Sequence, residues 1–149
     1  MKAVKILFIC HGNICRSPMA EMVMRQMVKE AGAAVEVSSA ATSTEEIGNG
    51  IYPPVRRLLA EKGIPFGEHH ARQMTKADYG RYDYLIYMDD FNRRNLFKIV
   101  GDDPENKCRS LLSFCGGGEV ADPWYTGEFE TTYRQIETGC RALLEFLTK

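Results

Sequence analysis

The segment Cys10-His11-Gly12-Asn13-Ile14-Cys15-Arg16-Ser17 sets a thiol and a guanidinium six positions apart around a Gly-Asn turn. A loop of that length can curl around one tetrahedral anion, with the sulfur beneath it and the planar arginine fork on two of its oxygens. Lysine could not make that bidentate contact. Converging backbone N–H groups and Arg16 would hold the Cys10 sulfur as thiolate. The chemistry this suits is nucleophilic attack on a phosphate ester, with Arg16 stabilising charge on the transferring group. Ser17 has two roles open to it: capping a following helix, and giving its hydroxyl to the sulfur so that the sulfur leaves more readily. Gly12 and Asn13 suit left-handed torsions that turn N–H groups inward. The plain alternative is a buried cysteine at a strand end, a turn and a surface arginine.

The flanking segments decide whether such a loop is positioned to work. Val4 to Ile9 is a continuous apolar, β-branched run, the pattern of a strand buried on both faces of a parallel sheet. Ser17-Pro18-Met19-Ala20-Glu21 reads as a hydroxyl N-cap, a proline at the first helical position and a carboxylate in the first turn, predicting a helix to about Ala31-Gly32. The loop therefore joins a strand end to a helix start, where the helix dipole favours an anion. Val35 to Ser38 alternates as a second strand; Pro53-Pro54 opens a helix carrying Val55, Leu58 and Leu59, stopped by Gly63. Tyr82 to Met88 predicts a third strand, and Asp89-Asp90 begins a helix through Leu96, Phe97 and Val100 to Gly101. Leu111-Leu112-Ser113-Phe114 is expected to be a short fourth strand, Gly116-Gly117-Gly118 a surface loop, and Glu128 to Leu147 the last helix. This alternation predicts an α/β fold: three layers, a doubly wound four-stranded parallel sheet with helices on both faces. In such sheets ligands bind beyond the carboxyl ends of the strands, where Cys10 and the residues after Met88 both emerge.

The 149 residues, 44% of them hydrophobic, fit a single domain spanning 1–149. With 19 basic and 20 acidic side chains and a net charge of -1, no broad field favours nucleic acid, so anion selectivity must be local. The five cysteines are an odd number without paired CxxC spacing, which argues against a disulfide framework and a structural zinc site and for a reducing cytoplasm. No segment approaches the roughly 20 apolar residues of a membrane span. A soluble protein that inserts in no membrane and binds no metal or cofactor is expected, as a monomer or weak homodimer.

Val4 through Glu21, with the Cys10–Ser17 loop at its centre, resembles the signature of the low-molecular-weight protein tyrosine phosphatases. The likeness continues through Ser39-Ala40-Ala41-Thr42-Ser43, Ile47-Gly48-Asn49, Gly63-Ile64-Pro65, His69, Ala71-Arg72-Gln73, Tyr82-Asp83-Tyr84, Met88-Asp89 and Asp122-Pro123. The resemblance implies hydrolysis of protein phosphotyrosine and small aryl phosphates through a phosphocysteine. Cys10 would be the nucleophile, Arg16 the phosphate clamp, and Asp122 the general acid of the first step and general base of the second. Taken alone, Asp122-Pro123 is a turn signal. The resemblance further implies that Asn13, Ser39, His69 and Asp89 hold the phosphate loop in shape, that Trp124 and Tyr125 line the entrance, and that Cys10 can pair with Cys15 as a redox switch. Cys108, Cys115 and Cys140 read as structural or incidental.

Ile14 stands where protein-arginine phosphatases of the same superfamily carry threonine; a branched apolar wall suits an aromatic ring instead. His11 replaces the commoner leucine, and Glu45 replaces a tyrosine or tryptophan on the opposite wall, putting a negative charge where acidic phosphopeptides would approach. Competing readings are a phosphatase for another phospho-residue such as phosphoarginine, an arsenate reductase, a sugar-transport phosphocarrier and a non-catalytic phosphotyrosine-binding module. The reductase needs further cysteines, and there is none between Thr75 and Val100. The carrier needs neither Arg16 nor Asp122, and the binding module would not need the intact set of Cys10, Arg16 and Asp122.

Overall fold

The computed structural model describes residues 2–149. Along the chain run β1 (Val4–Cys10), α1 (Arg16–Ala31), β2 (Val35–Ala41), α2 (Pro53–Glu61), α3 (Asp78–Arg81), β3 (Tyr84–Tyr87), α4 (Asp90–Val100), β4 (Cys108–Ser110), a 3-10 turn (Leu111–Cys115), α5 (Pro123–Thr126) and α6 (Phe129–Thr148). The four strands form one parallel sheet in the order β2-β1-β3-β4. Ile6 to Ile9 are fully buried because β1 is central and covered on both sides. Ile6 and Phe8 join the core built with α1, α2 and α6, while Leu7 and Ile9 join the one built with Leu85 of β3 and Leu96 and Val100 of α4. Each such side chain contributes about 1.5–3 kcal/mol through the apolar area it removes from water. The three-layer, doubly wound prediction holds. Because β2 and β3 lie on opposite sides of β1, the chain reverses its winding there, and the crevice at the carboxyl end of β1 is the expected ligand position.

Three local expectations are corrected. Leu111–Cys115 is a 3-10 turn, and the fourth strand is the segment just before it. Leu111 and Leu112 are both buried, whereas a strand sends consecutive side chains to opposite faces; the Ser113 hydroxyl donates to Ser110 O at 2.6 Å and closes the turn. Secondly, α1 starts at Arg16 with Cys15 in the cap position and no capping side chain, so Ser17 lies inside the helix and Glu21 beyond its first turn. The Ser17 hydroxyl is drawn instead to Cys10. Thirdly, Asn13 does take a left-handed backbone (φ 59°), but Gly12 does not. Gly12 is needed for space: a Cβ there would lie 3.3 Å from Glu46 Cγ. The short helices α3 and α5 carry too few residues to show a period in the sequence.

Leu111 packs against α6 at Gly139, where a Cβ would sit 2.6 Å from Leu111 Cγ and 3.1 Å from both methyls. Gly139→Ala gains about 1 kcal/mol of helix propensity but overpacks a site with a typical cost of about 1–3 kcal/mol. Since a 2.6 Å approach puts this site at the upper end of that cost, a net loss of about 2 kcal/mol in urea unfolding is expected. An unchanged or raised midpoint would show that Leu111 repacks freely.

Candidate active site

Cys10 ends β1, and the chain turns through His11 to Cys15 before α1 begins, so the loop sits on the free N-terminal end of that helix. Cys10 is 3% exposed. Its sulfur lies 3.0 Å from the Ser17 hydroxyl and accepts the Ser17 backbone N–H at 3.4 Å. The direction of the hydroxyl bond follows from what stands behind it. Asn13 Nδ2, a donor only, gives one hydrogen to Ser17 Oγ at 2.8 Å and the other to Ser39 Oγ at 2.9 Å. Ser39 in turn donates to the Glu21 carboxylate, whose other oxygen pairs with Arg25. With one lone pair engaged by Asn13 and the sulfur the one acceptor beside its hydroxyl among the described residues, Ser17 points its own hydrogen at Cys10, as a thiolate or a sulfur leaving group requires.

Asn13 is fully buried, and its side-chain oxygen and its carbonyl are also bonded. Its Oδ1 accepts the Arg72 N–H at 3.3 Å, and its carbonyl accepts His69 Nε2–H at 2.7 Å. These contacts fasten the left-handed loop residue to β2 and to the 69–72 segment. Glu21 was not foreseen as part of this set. Its signal was its spacing, four residues after Ser17 and hence on the same helix face.

Arg16 is 2% exposed and carries its charge among acidic partners. Nη1 donates to Asp89 at 2.7 Å and to Val120 O at 3.0 Å, and Nη2 donates to Asp122 at 3.3 Å. Burial alone would weaken the guanidinium charge, but Cys10, Asp89 and Asp122 outweigh it and push the arginine pKa above its ordinary value. Asp89 is itself held by capping α4, where it accepts the Asn92 N–H at 2.8 Å. Asp122 caps α5 through its other oxygen, which accepts the Trp124 N–H at 3.1 Å. The Asp122 contact is the longer of the two carboxylate contacts to Arg16, and an arriving phosphate oxygen can replace it.

The cleft above Cys10 has about 110 Å³ of room, on the scale of a single aromatic ring. His11, Gly12, Ile14, Cys15, Arg16, Glu45, Asp122, Trp124 and Tyr125 surround it, so every residue expected to touch substrate converges there. Asn13, Ser17, Ser39, His69 and Asp89 stand behind as the hydrogen-bonded support. Burial first, then the charges of Cys10 and Asp122, push the Cys15 thiol up to about 12, so it stays protonated beside Cys10. Burial likewise pushes up Cys140 and Cys108, in keeping with packing roles. Trp124 stacks at 5.0 Å on Tyr52, an aromatic support that the sequence did not reveal. Glu45 is not the free charge expected: its carboxylate lies 2.8 Å from His11 Nε2. Glu46, also on the cleft, accepts from Asn49 Nδ2 at 2.6 Å. Among the described residues no acid, cysteine and histidine cluster could hold a metal ion, and no helix is long and apolar enough to cross a membrane.

Comparison with known proteins agrees with this geometry. The family model described as low molecular weight phosphotyrosine protein phosphatase matches residues 5–149. The low molecular weight protein-tyrosine-phosphatase YfkJ of Bacillus subtilis is 35% identical, across 98% of this chain and 97% of the relative. The human low molecular weight phosphotyrosine protein phosphatase is 39% identical, across 94% of this chain and 93% of its own length. The crystal structure of YfkJ superposes with a TM-score of 0.95 at 34% identity, covering 99% of this chain and 96% of that one. Since the match takes in the strand, the loop, the acid and the helices that hold them, the chain belongs to the low molecular weight phosphotyrosine protein phosphatase family.

Proposed function

We propose that this chain hydrolyses phosphotyrosine in proteins, and small aryl phosphates, in two steps at Cys10. The observation that carries the reading is the meeting of a buried, hydroxyl-supported sulfur, a buried arginine and an aspartate in one ring-sized cleft. In the first step the Cys10 thiolate attacks phosphorus, an S–P bond forms, and the P–O bond to tyrosine breaks as Asp122 gives that oxygen its proton. Arg16 exchanges its Asp122 contact for phosphate oxygens and stabilises the charge spread over them. In the second step Asp122 takes a proton from water, the water oxygen bonds to phosphorus, and the sulfur departs as thiolate, steadied by Ser17. The products are tyrosine and inorganic phosphate. Ile14, Trp124 and Tyr125 support an aryl ester over phosphoarginine, since each offers apolar surface to a flat ring.

Mixing the protein with a phosphotyrosyl peptide and quenching in acid is expected to yield one phosphoryl group per chain on the Cys10 peptide, read by mass spectrometry. The value of kcat/KM should exceed that for a matched phosphoarginyl peptide. No turnover, or a phosphoryl group elsewhere, would overturn the mechanism; a preference for phosphoarginine would overturn the substrate.

A further inference from the structure

The two residues that depart from the family pattern at the cleft are bonded to each other. We infer that His11 is an aromatic wall for the substrate ring and that Glu45 is its positioning residue, acting by holding the imidazole rather than by repelling acidic peptides. The inference rests on the aryl-phosphatase reading above and names how the ring is selected.

A carboxylate can only accept, so His11 Nε2–H donates to Glu45 Oε2 at 2.8 Å, and the tautomer is set by that bond. The other ring nitrogen, Nδ1, is buried and has no hydrogen-bond partner among the described residues. Nothing on that side orients the ring, which leaves two holds: Glu45 and a stack on Phe91, with centroids 5.6 Å apart at 43°. Phe91 lies in the first turn of α4, two residues after Asp89, so the element that anchors Arg16 also backs the wall. Phe91 is half exposed and so are Trp124 and, more fully, Tyr125. Trp124 and Tyr125 of α5 line the mouth, and Phe91 of α4 stands behind His11. His11 follows the nucleophile directly and lines the cleft together with Trp124 and Tyr125. An aryl ester on Cys10 passes between them. The ring absent at position 45 is supplied from position 11, and Glu45 keeps it in place. A side chain with a third of its surface open would otherwise sample several rotamers and offer no fixed face.

Binding measured by calorimetry separates this device from a charge gate and does not depend on turnover. The probes are benzylphosphonate and cyclohexylmethylphosphonate, alike in charge and size but not in aromaticity. Glu45→Ala and His11→Ala are each expected to weaken benzylphosphonate about three- to tenfold, with cyclohexylmethylphosphonate within about twofold. The double variant should be no worse than His11→Ala alone, because both changes remove one interaction. Glu45→Gln, whose amide oxygen still accepts from Nε2–H, and His11→Phe should restore most of the selectivity. Equal weakening of both phosphonates, additive losses in the double variant, or Glu45→Gln behaving as Glu45→Ala would overturn the inference. Failure of the phosphatase reading would show separately, as absent turnover of p-nitrophenyl phosphate by the unaltered protein.

Discussion

Cys10→Ser protein will release no measurable p-nitrophenol from p-nitrophenyl phosphate, a fall on the order of 10⁶-fold in kcat, the scale seen when a covalent nucleophile is removed. The reason lies in the site rather than in the fold. Serine fits the volume of Cys10 and can still receive the Ser17 hydroxyl and N–H, so packing at the end of β1 is kept. What is lost is a thiolate: an alcohol does not ionise in this cradle, and no base stands beside it to take its proton. The residue nearest in type, Cys15, cannot substitute, because its thiol is pushed up to about 12 by burial and by the charges of Cys10 and Asp122. The Cys10→Ser protein should keep its melting temperature and bind phosphotyrosyl peptide, measured by calorimetry. Residual turnover within about a hundredfold of the native rate would mean that the group attacking phosphorus is not Cys10.

Asp122→Ala should lower kcat by about 10²–10⁴, the range for losing general acid and base help. A simple structural role is excluded by how the loss depends on the leaving group. A tyrosyl oxygen, whose phenol has a pKa of about 10, needs a proton as it leaves; p-nitrophenolate is a far better leaving group and needs less help. The deficit should therefore be several times larger for a phosphotyrosyl peptide than for p-nitrophenyl phosphate. Asp122 also caps α5 and touches Arg16, so Asp122→Asn serves as the control. Its amide oxygen keeps the cap on α5, while its amide nitrogen can neither accept from Arg16 nor supply the acid. Equal deficits on both substrates, or near-native rates in Asp122→Asn, would assign Asp122 to positioning alone.

The support shell explains how so small a loop can hold its shape. Asn13 adopts a left-handed backbone at full burial, and four hydrogen bonds, to Ser17 and Ser39 and from His69 and Arg72, tie that residue to three other segments. Of these partners only Ser17 touches the Cys10 sulfur, and Ser39 passes the constraint on to Glu21. Buried polar networks of this kind are effective only when every member is satisfied, and every polar atom of the Asn13 side chain is. The same logic accounts for Asp89, which neutralises a buried arginine while capping α4 and so couples the clamp to a helix on the opposite face of the sheet.

Features carried by neighbours in the chain were legible before any coordinates. The apolar run of β1, the Cys10–Ser17 spacing, the prolines opening α2, the aspartate before α4 and the stripe of α6 all depend on local backbone preference and periodicity, and all lie where expected. The parallel doubly wound sheet followed from their alternation, and the resemblance to a known family added Asp122, which Asp-Pro alone left as a turn. Other features depended on which distant segments the topology brings together. Arg16 meets Asp89 and Asp122 across 73 and 106 residues of chain only because β3 lies beside β1. Ser17 looks like a helix cap until Cys10 and Asn13 compete for its hydroxyl, and Leu111-Leu112 looks like a strand until α6 offers Gly139 to pack against. His11 and Glu45, 34 residues apart, read as two separate oddities in sequence and become one hydrogen-bonded wall in space. A buried polar atom must find a partner within about 3 Å, and the sequence names the atom while the fold decides the partner.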